Sequence, residues 1–331
     1  MRLLSTKTAF WVVTFLVLSS LSLISYWMIP VEPSSAVSIQ IESGMSLSQV
    51  ARKLEQKGVI RSATALKLLA RLRHQSNDIH AGHYLFVAPA DPAEILARLV
   101  SGDVELASLT IPEGFDLKQI AERVEEQHLG ESDRFLRLCN DPQLIASLEI
   151  SAASLEGYLF PETYRFTPGL DEKELIRMMV QQLREALDKT LLKDAEKLGL
   201  DRHQLLTLAS IIEKETGQAS EMPIISSVFH NRLKRRIPLQ TDPTVIYGVK
   251  NFDGNLTRKH LTTATPYNTY MIRGLPPGPI ASPGLAALQA AAHPAETSYL
   301  YFVSRGDGHH QFSATLKEHN QAVRRYQLKR R

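Results

Sequence analysis

Four carboxylates stand where a proton could be held and then released. Glu213 closes the apolar run 205–217 (LLTLASIIEKETG), Glu156 and Glu162 lie in the aromatic stretch 155–164 (LEGYLFPETY), and Asp242 sits in QTDPT at 240–244. An enzyme acting on a glycan needs a carboxyl kept protonated by apolar surroundings, polar groups for sugar hydroxyls, and aromatic faces for stacking. Each feature also has a plainer reading. A lone glutamate at a helix end is usually solvated, and Tyr158, Phe160 and Tyr164 suit a core equally well.

Other chemistries find less support. The 11 histidines show no H-E-x-x-H spacing, and the single cysteine, Cys139, allows neither an intrachain disulfide nor a cysteine metal site. No G-x-S-x-G is present, and no Gly-rich turn follows a strand and opens a helix. Neither a metal nor a cofactor is expected. A net charge of +3 over 331 residues leaves no nucleic-acid footprint, and the basic cluster 232–236 reads as a solvated helix face.

The elements that must position these groups follow from periodicity. Leu205, Leu208 and Ile212 share one helical stripe, and Leu206, Ala209, Ser210 and Glu213 share the next, with Gly217 placed for a left-handed cap. Glu215, two residues on, points nearly the opposite way from Glu213 and is set aside as its partner. Helices are also expected at 117–127, 133–138, 172–199, 222–235, 240–244, 285–292 and 316–327, with strands at 299–304 and 311–314 flanking the Gly306-Asp307-Gly308 turn. The segment Tyr267-Asn268-Thr269-Tyr270, followed by RGLPPGP, is polar and proline-rich and is read as a loop lining a cleft.

Nearer the N-terminus, a strand at 38–41, helices at 47–56 and 63–73, and a strand at 83–88 form a β-α-α-β series. Its opening IESGMSLSQVA at 41–51 recurs as IPEGFDLKQIA at 111–121, with Ser46 and Asp116 as helix caps. This series resembles a LysM module, a small fold found in proteins that touch peptidoglycan. Ahead of it, residues 8–31 carry no charged side chain. The core 9–29 has the roughly 20 apolar residues that a bilayer crossing needs, against about 7–15 for a signal-peptide core. Cleavage near Ser34-Ser35-Ala36 is therefore the weaker reading, and a retained anchor the stronger. Arg2 and Lys7 before the segment put the N-terminus in the cytoplasm and the remainder outside.

Read together, LEGYLFPETY at 155–164, LASIIEKET at 208–216, VFHNRLKRRIPLQTDPTVIYG at 228–248, YNTYMIRGLPPGPIASPG at 267–284 and AAAHPAETSYLYFVSRGDGHHQFSATLKEHN at 290–320 resemble the endolytic murein transglycosylases of the YceG-like family. The resemblance implies cleavage of the β-1,4 bond between N-acetylmuramic acid and N-acetylglucosamine in nascent strands, leaving a 1,6-anhydro end. It implies Glu213 as the catalytic residue, and glycan contacts at Gln240, Thr241, Asp242, Tyr247, Tyr267, Asn268 and Tyr270. A single carboxyl suffices for such a reaction, because the sugar's own C6 hydroxyl replaces water.

The expected architecture is α+β: a cytoplasmic N-terminus at 1–8, a transmembrane helix at 9–29, a linker at 30–38, a LysM-like module at 39–106 and a catalytic domain at 107–331. The expected location is the inner membrane, with the catalytic domain periplasmic. The expected partners are peptidoglycan glycan strands, peptidoglycan synthases and division proteins, with no nucleic acid. Two other functions fit the residues: a muramidase-type hydrolase pairing Glu213 with Asp242 or Glu162, and a non-catalytic wall-binding scaffold.

Overall fold

The computed structural model describes residues 6–31, 36–250 and 252–328. The chain divides into two compact units, Met1–Ser108 with Arg165–Gly169, and Leu109–Tyr164 with Leu170–Arg331. The boundary expected between 106 and 107 compares with a division between Ser108 and Leu109.

The first unit runs α1 (Thr6–Met28), β1 (Val37–Ile41), α2 (Leu47–Gln56), α3 (Ala63–Leu72), β2 (Gly82–Phe86) and α4 (Pro92–Ser101). Strands β1 and β2 pair antiparallel, Ile39 opposite Tyr84. Alternation along β1 turns Ile39 and Ile41 into a core with Val50, Leu54, Leu66, Tyr84, Phe86, Ile95 and Leu99. Ser46 caps α2 through a reciprocal bond with Gln49, as its position before the apolar periodicity predicts. Helix α4 is absent from the sequence expectations, although its signals are present: Asp91 as cap, Pro92 at the first turn and Gly102 at φ 67° beyond its end. Helix α1 is 23 residues long, and Phe10, Trp11, Phe15 and Leu18 on it are exposed. The expected membrane segment falls partly on side chains outside the described ones, and among the described residues no helix is long and apolar enough to cross a membrane. Residues 1–5 and the linker residues 32–35 also lie outside the described residues.

The second unit is mostly helical. Strands β3 (Ala107–Thr110) and β4 (Thr163–Phe166) each have residues on both sides of the division, and the second unit contains α5 (Leu117–Glu126), α6 (Ser132–Cys139), α7 (Pro142–Ser147), α8 (Glu172–Ala186), α9 (Lys189–Lys197) and α10 (Arg202–Glu215). It continues with α11 (Met222–Lys234), α12 (Asp242–Gly248), α13 (Arg258–Thr262), α14 (Leu285–Ala292), β5 (Tyr301–Ser304), β6 (His310–Ser313) and α15 (Leu316–Val323), ending in a π-helical turn Arg324–Leu328. Among the described residues there are three sheets of two strands each, β1–β2, β3–β4 and β5–β6, so the architecture is α+β.

Helix α10 is the centre of this unit. Every residue from Leu205 to Ile212 is buried, on all sides of the helix and not along one stripe. Such a helix needs partners all round. It packs against α14, α11, α12 and α9, and the small side chains Ala287, Ala290 and Ala291 keep α14 narrow where it meets its neighbours. Burying a leucine contributes roughly 1.5–3 kcal/mol, so this packing anchors the C-terminal end of α10, where the acidic residues stand.

Three sequence expectations need correction. The helix expected at 172–199 is two, broken where Asp188 caps α9 by accepting from Thr190 and Leu191 N–H. The helix placed at 240–244 begins only at Asp242 and extends to Gly248. Helix α10 stops at Glu215, with Thr216 extended at φ −149° rather than with a left-handed Gly217.

Candidate active site

At about 100° per residue, Glu213 and Glu215 project from α10 roughly 200° apart. Their surroundings differ accordingly. The half-buried Glu213 accepts the Gly284 N–H at 3.0 Å through Oε2. Burial raises its pKa, the Gly284 N–H opposes that, the Glu113 carboxylate adds to it, and Lys214 lowers it. Lys214 itself donates to the Gly114 carbonyl at 3.0 Å. Gly284 belongs to a loop locked into the unit: Gly114 N–H donates to Ser282 O, Ser282 N–H to Phe115 O, and Ile280 N–H to the Ser210 hydroxyl.

Glu215 turns to the other side. Its Oε1 accepts a short hydrogen bond from the Thr241 hydroxyl. Burial raises its pKa to about 7, the Thr241 bond and the Arg232 charge lower it, and Asp242 raises it. With Arg232, Gln240, Asp242, Tyr270, Tyr301, His310 and His319 it lines a cleft of about 530 Å³. Tyr270 Oη donates to Asp242 Oδ1 at 2.7 Å, which fixes the ring at the rim beside the N-terminus of α12.

The expected glycan-contact residues therefore fall into three groups. Gln240, Thr241, Asp242 and Tyr270 gather around Glu215, not around Glu213. Tyr247 and Tyr267 pair their rings at 4.8 Å, and Tyr247 Oη donates to Glu156 Oε2 at 3.1 Å. Glu156, only 6% exposed, also accepts the Leu117 N–H at the start of α5. Its pKa rises to about 7 because burial outweighs the Leu117 and Tyr247 hydrogen bonds. Asn268 forms the third group. It is 0% exposed, its Nδ2 donates to the carbonyls of His260, Leu261 and Thr263, and its Oδ1 accepts from Tyr270 N–H. With every amide atom committed it has no surface to offer a glycan, and its work is to shape the loop that carries Tyr270.

Other residues singled out in the sequence also move. Glu162 is exposed and caps its own neighbour, Thr163 N–H. Tyr158, Phe160 and Tyr164 are all core, at 4%, 7% and 5% exposure. Tyr158 Oη bonds to His203 Nδ1 at 2.7 Å, and His203 Nε2 donates to Pro277 O. Of the loop expected to line a cleft, Tyr270 does so, while Asn268, Thr269, Pro276, Gly278 and Pro279 are buried, as is the stretch that follows to Gly284. Arg232, assigned to a solvated face, is buried at 7% exposure, whereas Lys234, Arg235 and Arg236 are exposed.

Residues 39–325 match the sequence profile of the YceG-like family. The chain is 36% identical over 315 residues to the endolytic murein transglycosylase of Bacillus subtilis, covering 90% of this chain and 87% of that protein. It is 29% identical over 314 residues to the endolytic murein transglycosylase of Streptococcus pneumoniae, covering 84% of this chain but 56% of the pneumococcal protein. Among solved structures, a yceG-like protein of Listeria monocytogenes superposes with a TM-score of 0.61 at 33% identity, covering 87% of this chain and 98% of that one.

Proposed function

The chain belongs to the YceG-like family, and from that premise we propose that it is an endolytic murein transglycosylase whose proton carrier is a carboxyl at the C-terminal end of α10. The observation that carries the assignment of residue is the Glu215 carboxyl, brought near neutrality on the wall of a cleft that it shares with Gln240, Asp242 and Tyr270. A general acid that must later act as base works best with a pKa near the ambient pH. Protonated Glu215 donates to the glycosidic oxygen between N-acetylmuramic acid and N-acetylglucosamine as the C1–O bond breaks. The muramic C6 hydroxyl oxygen then bonds to C1, and its proton passes to the Glu215 carboxylate. The acid is regenerated, no water is consumed, and the new end is 1,6-anhydro.

Glu213, the residue that the sequence motif favours, is the second reading. Its half-buried carboxyl and its contact with the Gly284 N–H support it. Parallel Glu213→Gln and Glu215→Gln variants, assayed on isolated glycan strands with products read by mass spectrometry, separate the two. Glu215→Gln should lose on the order of 10²–10⁴ in turnover, while Glu213→Gln stays within about tenfold of the native protein. The reverse order would give the role to Glu213. Reducing ends in place of anhydro ends would indicate a hydrolase using Asp242 as second carboxylate, and no effect of either variant would leave a wall-binding scaffold.

The same reading includes a membrane anchor at α1, supported by its exposed Phe10, Trp11, Phe15 and Leu18. The catalytic unit then lies outside the cytoplasm, with synthases and division proteins as neighbours. The β-α-α-β order of the first unit supports a LysM-like module beside the membrane. Protease accessibility in spheroplasts tests the topology: digestion of the catalytic unit only after lysis would refute it.

A further inference from the structure

The cleft contains a buried cation that the proton-transfer scheme does not use. Arg232 projects from the last turn of α11 with 7% of its surface exposed. Its Nη1 donates to three oxygens in one short segment, Pro238 O at 3.0 Å, Leu239 O at 2.9 Å and Gln240 Oε1 at 3.1 Å. Its Nε donates to Leu300 O just before β5, and the guanidinium lies 5.1 Å from the Tyr301 ring centre. Among the described residues it forms no ion pair within 4.0 Å with a carboxylate. A desolvated charge held by carbonyl oxygens and a ring face, with no carboxylate in contact, is expensive, which calls for a reason beyond packing.

Two features of the cleft supply one. Gln240 has φ 52°, a left-handed conformation that costs a non-glycine residue free energy, and it is held there by Arg232 through its side chain and by Thr269 O through its N–H. Glu215 lines the same cleft as Arg232, whose charge favours the Glu215 carboxylate form.

We propose that Arg232 is a positioning residue of this cleft: its guanidinium holds the 238–240 wall in shape and presents a permanent positive charge to Glu215. The inference rests on the reading of Glu215 as the proton carrier. The other groups facing Glu215 are Thr241 and Asp242 at the start of α12 and Tyr270 on the following loop. His310 on β6, Tyr301 on β5 and His319 on α15 line the remaining walls. Burial, and after it Asp242, push the Glu215 pKa up, while the Thr241 hydroxyl and, to a smaller extent, Arg232 bring it back down. His319, stacked on Tyr301 at 5.1 Å, has its pKa lowered by burial and by Arg232, so it adds no competing cation at neutral pH. Arg232 thus limits how far burial can raise the proton affinity of Glu215, and keeps its carboxylate form accessible for the second half of the reaction.

The test compares Arg232→Met with Arg232→Lys in the full chain, using kcat and kcat/KM on isolated glycan strands across pH. The acid form of Glu215 begins the reaction, so its loss draws the basic limb of kcat/KM. Removing the cation raises the Glu215 pKa, and the basic limb of Arg232→Met should move to higher pH. Arg232→Lys keeps the charge but not the fork that spans the wall. Its limb should stay near the native position while kcat falls at least about tenfold. A limb that does not move in Arg232→Met, or native kcat in Arg232→Lys, overturns the proposal. If Arg232→Met does not fold, Arg232→Lys alone decides: native kcat, or a limb displaced to higher pH despite the retained charge, overturns it. Glu215→Gln run alongside keeps the two readings apart. Activity in that variant sinks the assignment of Glu215 and this inference with it, whereas inactivity with an unmoved Arg232→Met limb sinks this inference alone.

Discussion

Gly157 lies between Glu156 and Tyr158, in a conformation and a space that admit no side chain. Its φ is 76°, and a Cβ there would stand 2.3 Å from Pro279 Cβ, 2.7 Å from Pro279 Cγ and 3.2 Å from Ala281 O. The neighbours are a ring and a backbone carbonyl, neither of which can swing aside. Gly157→Ala therefore meets two costs. The left-handed conformation costs roughly 1–2 kcal/mol, offset by about 0.4–1 kcal/mol from the stiffer unfolded chain. Forcing a methyl into a filled site adds roughly 1–3 kcal/mol. The expected loss is about 1–5 kcal/mol. Gly199 supplies the control: its φ is 79°, but nothing lies within 4 Å of its would-be Cβ. Gly199→Ala meets only the conformational cost, about 1 kcal/mol or less. Urea titration of the two variants and the native chain, compared through midpoints at constant m, measures the difference. Because Pro279 must shift, turnover on glycan strands should fall in Gly157→Ala and hold in Gly199→Ala. Equal midpoints for the two alanine variants would refute the claim that the 278–284 loop presses on Gly157.

The buried Glu156 makes stability pH-dependent. Its folded pKa rises from the usual 4.5 to about 7, so the folded state holds its proton more tightly. The stabilisation is complete below pH 4.5 and is lost as pH rises through 7, an effect on the order of 3 kcal/mol. Glu156→Gln should remove that part of the slope, measured by denaturation at pH 5 and pH 8; an unchanged slope would count against a neutral Glu156. Asn268→Asp should destabilise by more than about 2 kcal/mol, since a carboxylate would face three carbonyl oxygens that now accept from Nδ2. A melting temperature within 1 °C of native, on the order of a few tenths of a kcal/mol, would show that the amide is dispensable.

Much of the local structure was readable from residue types. Ser46 and Asp116 form capping boxes with Gln49 and Gln119, because a short polar side chain before an apolar period satisfies free N–H groups from within its own neighbourhood. The Gly306-Asp307-Gly308 turn joins β5 and β6 with both glycines at positive φ, again a local requirement. The loop at 267–279 was read only in part, for a related reason: Tyr270 does line the cleft, as expected. Polar and proline-rich composition suggests solvent, yet Asn268 and Thr269 are fully buried because their partners are carbonyls and hydroxyls of other segments. Arg232 was misread in the same way, its acceptors lying at Pro238, Leu239 and Leu300.

Family membership, the caps and the delivery of acidic residues by the end of α10 were all available in the amino-acid order, because each depends on types and spacings along one stretch of chain. Helical periodicity also separated Glu213 from Glu215 by about 200°. It could not say which direction held the cleft. That depended on where α12 and the β5–β6 hairpin packed, and their contacts put Thr241 on Glu215 and line one cleft with Glu215, Asp242, Tyr270 and the buried Arg232. The surroundings of a carboxyl, and so its proton affinity, are set by groups distant in sequence. Only folding brings them within reach.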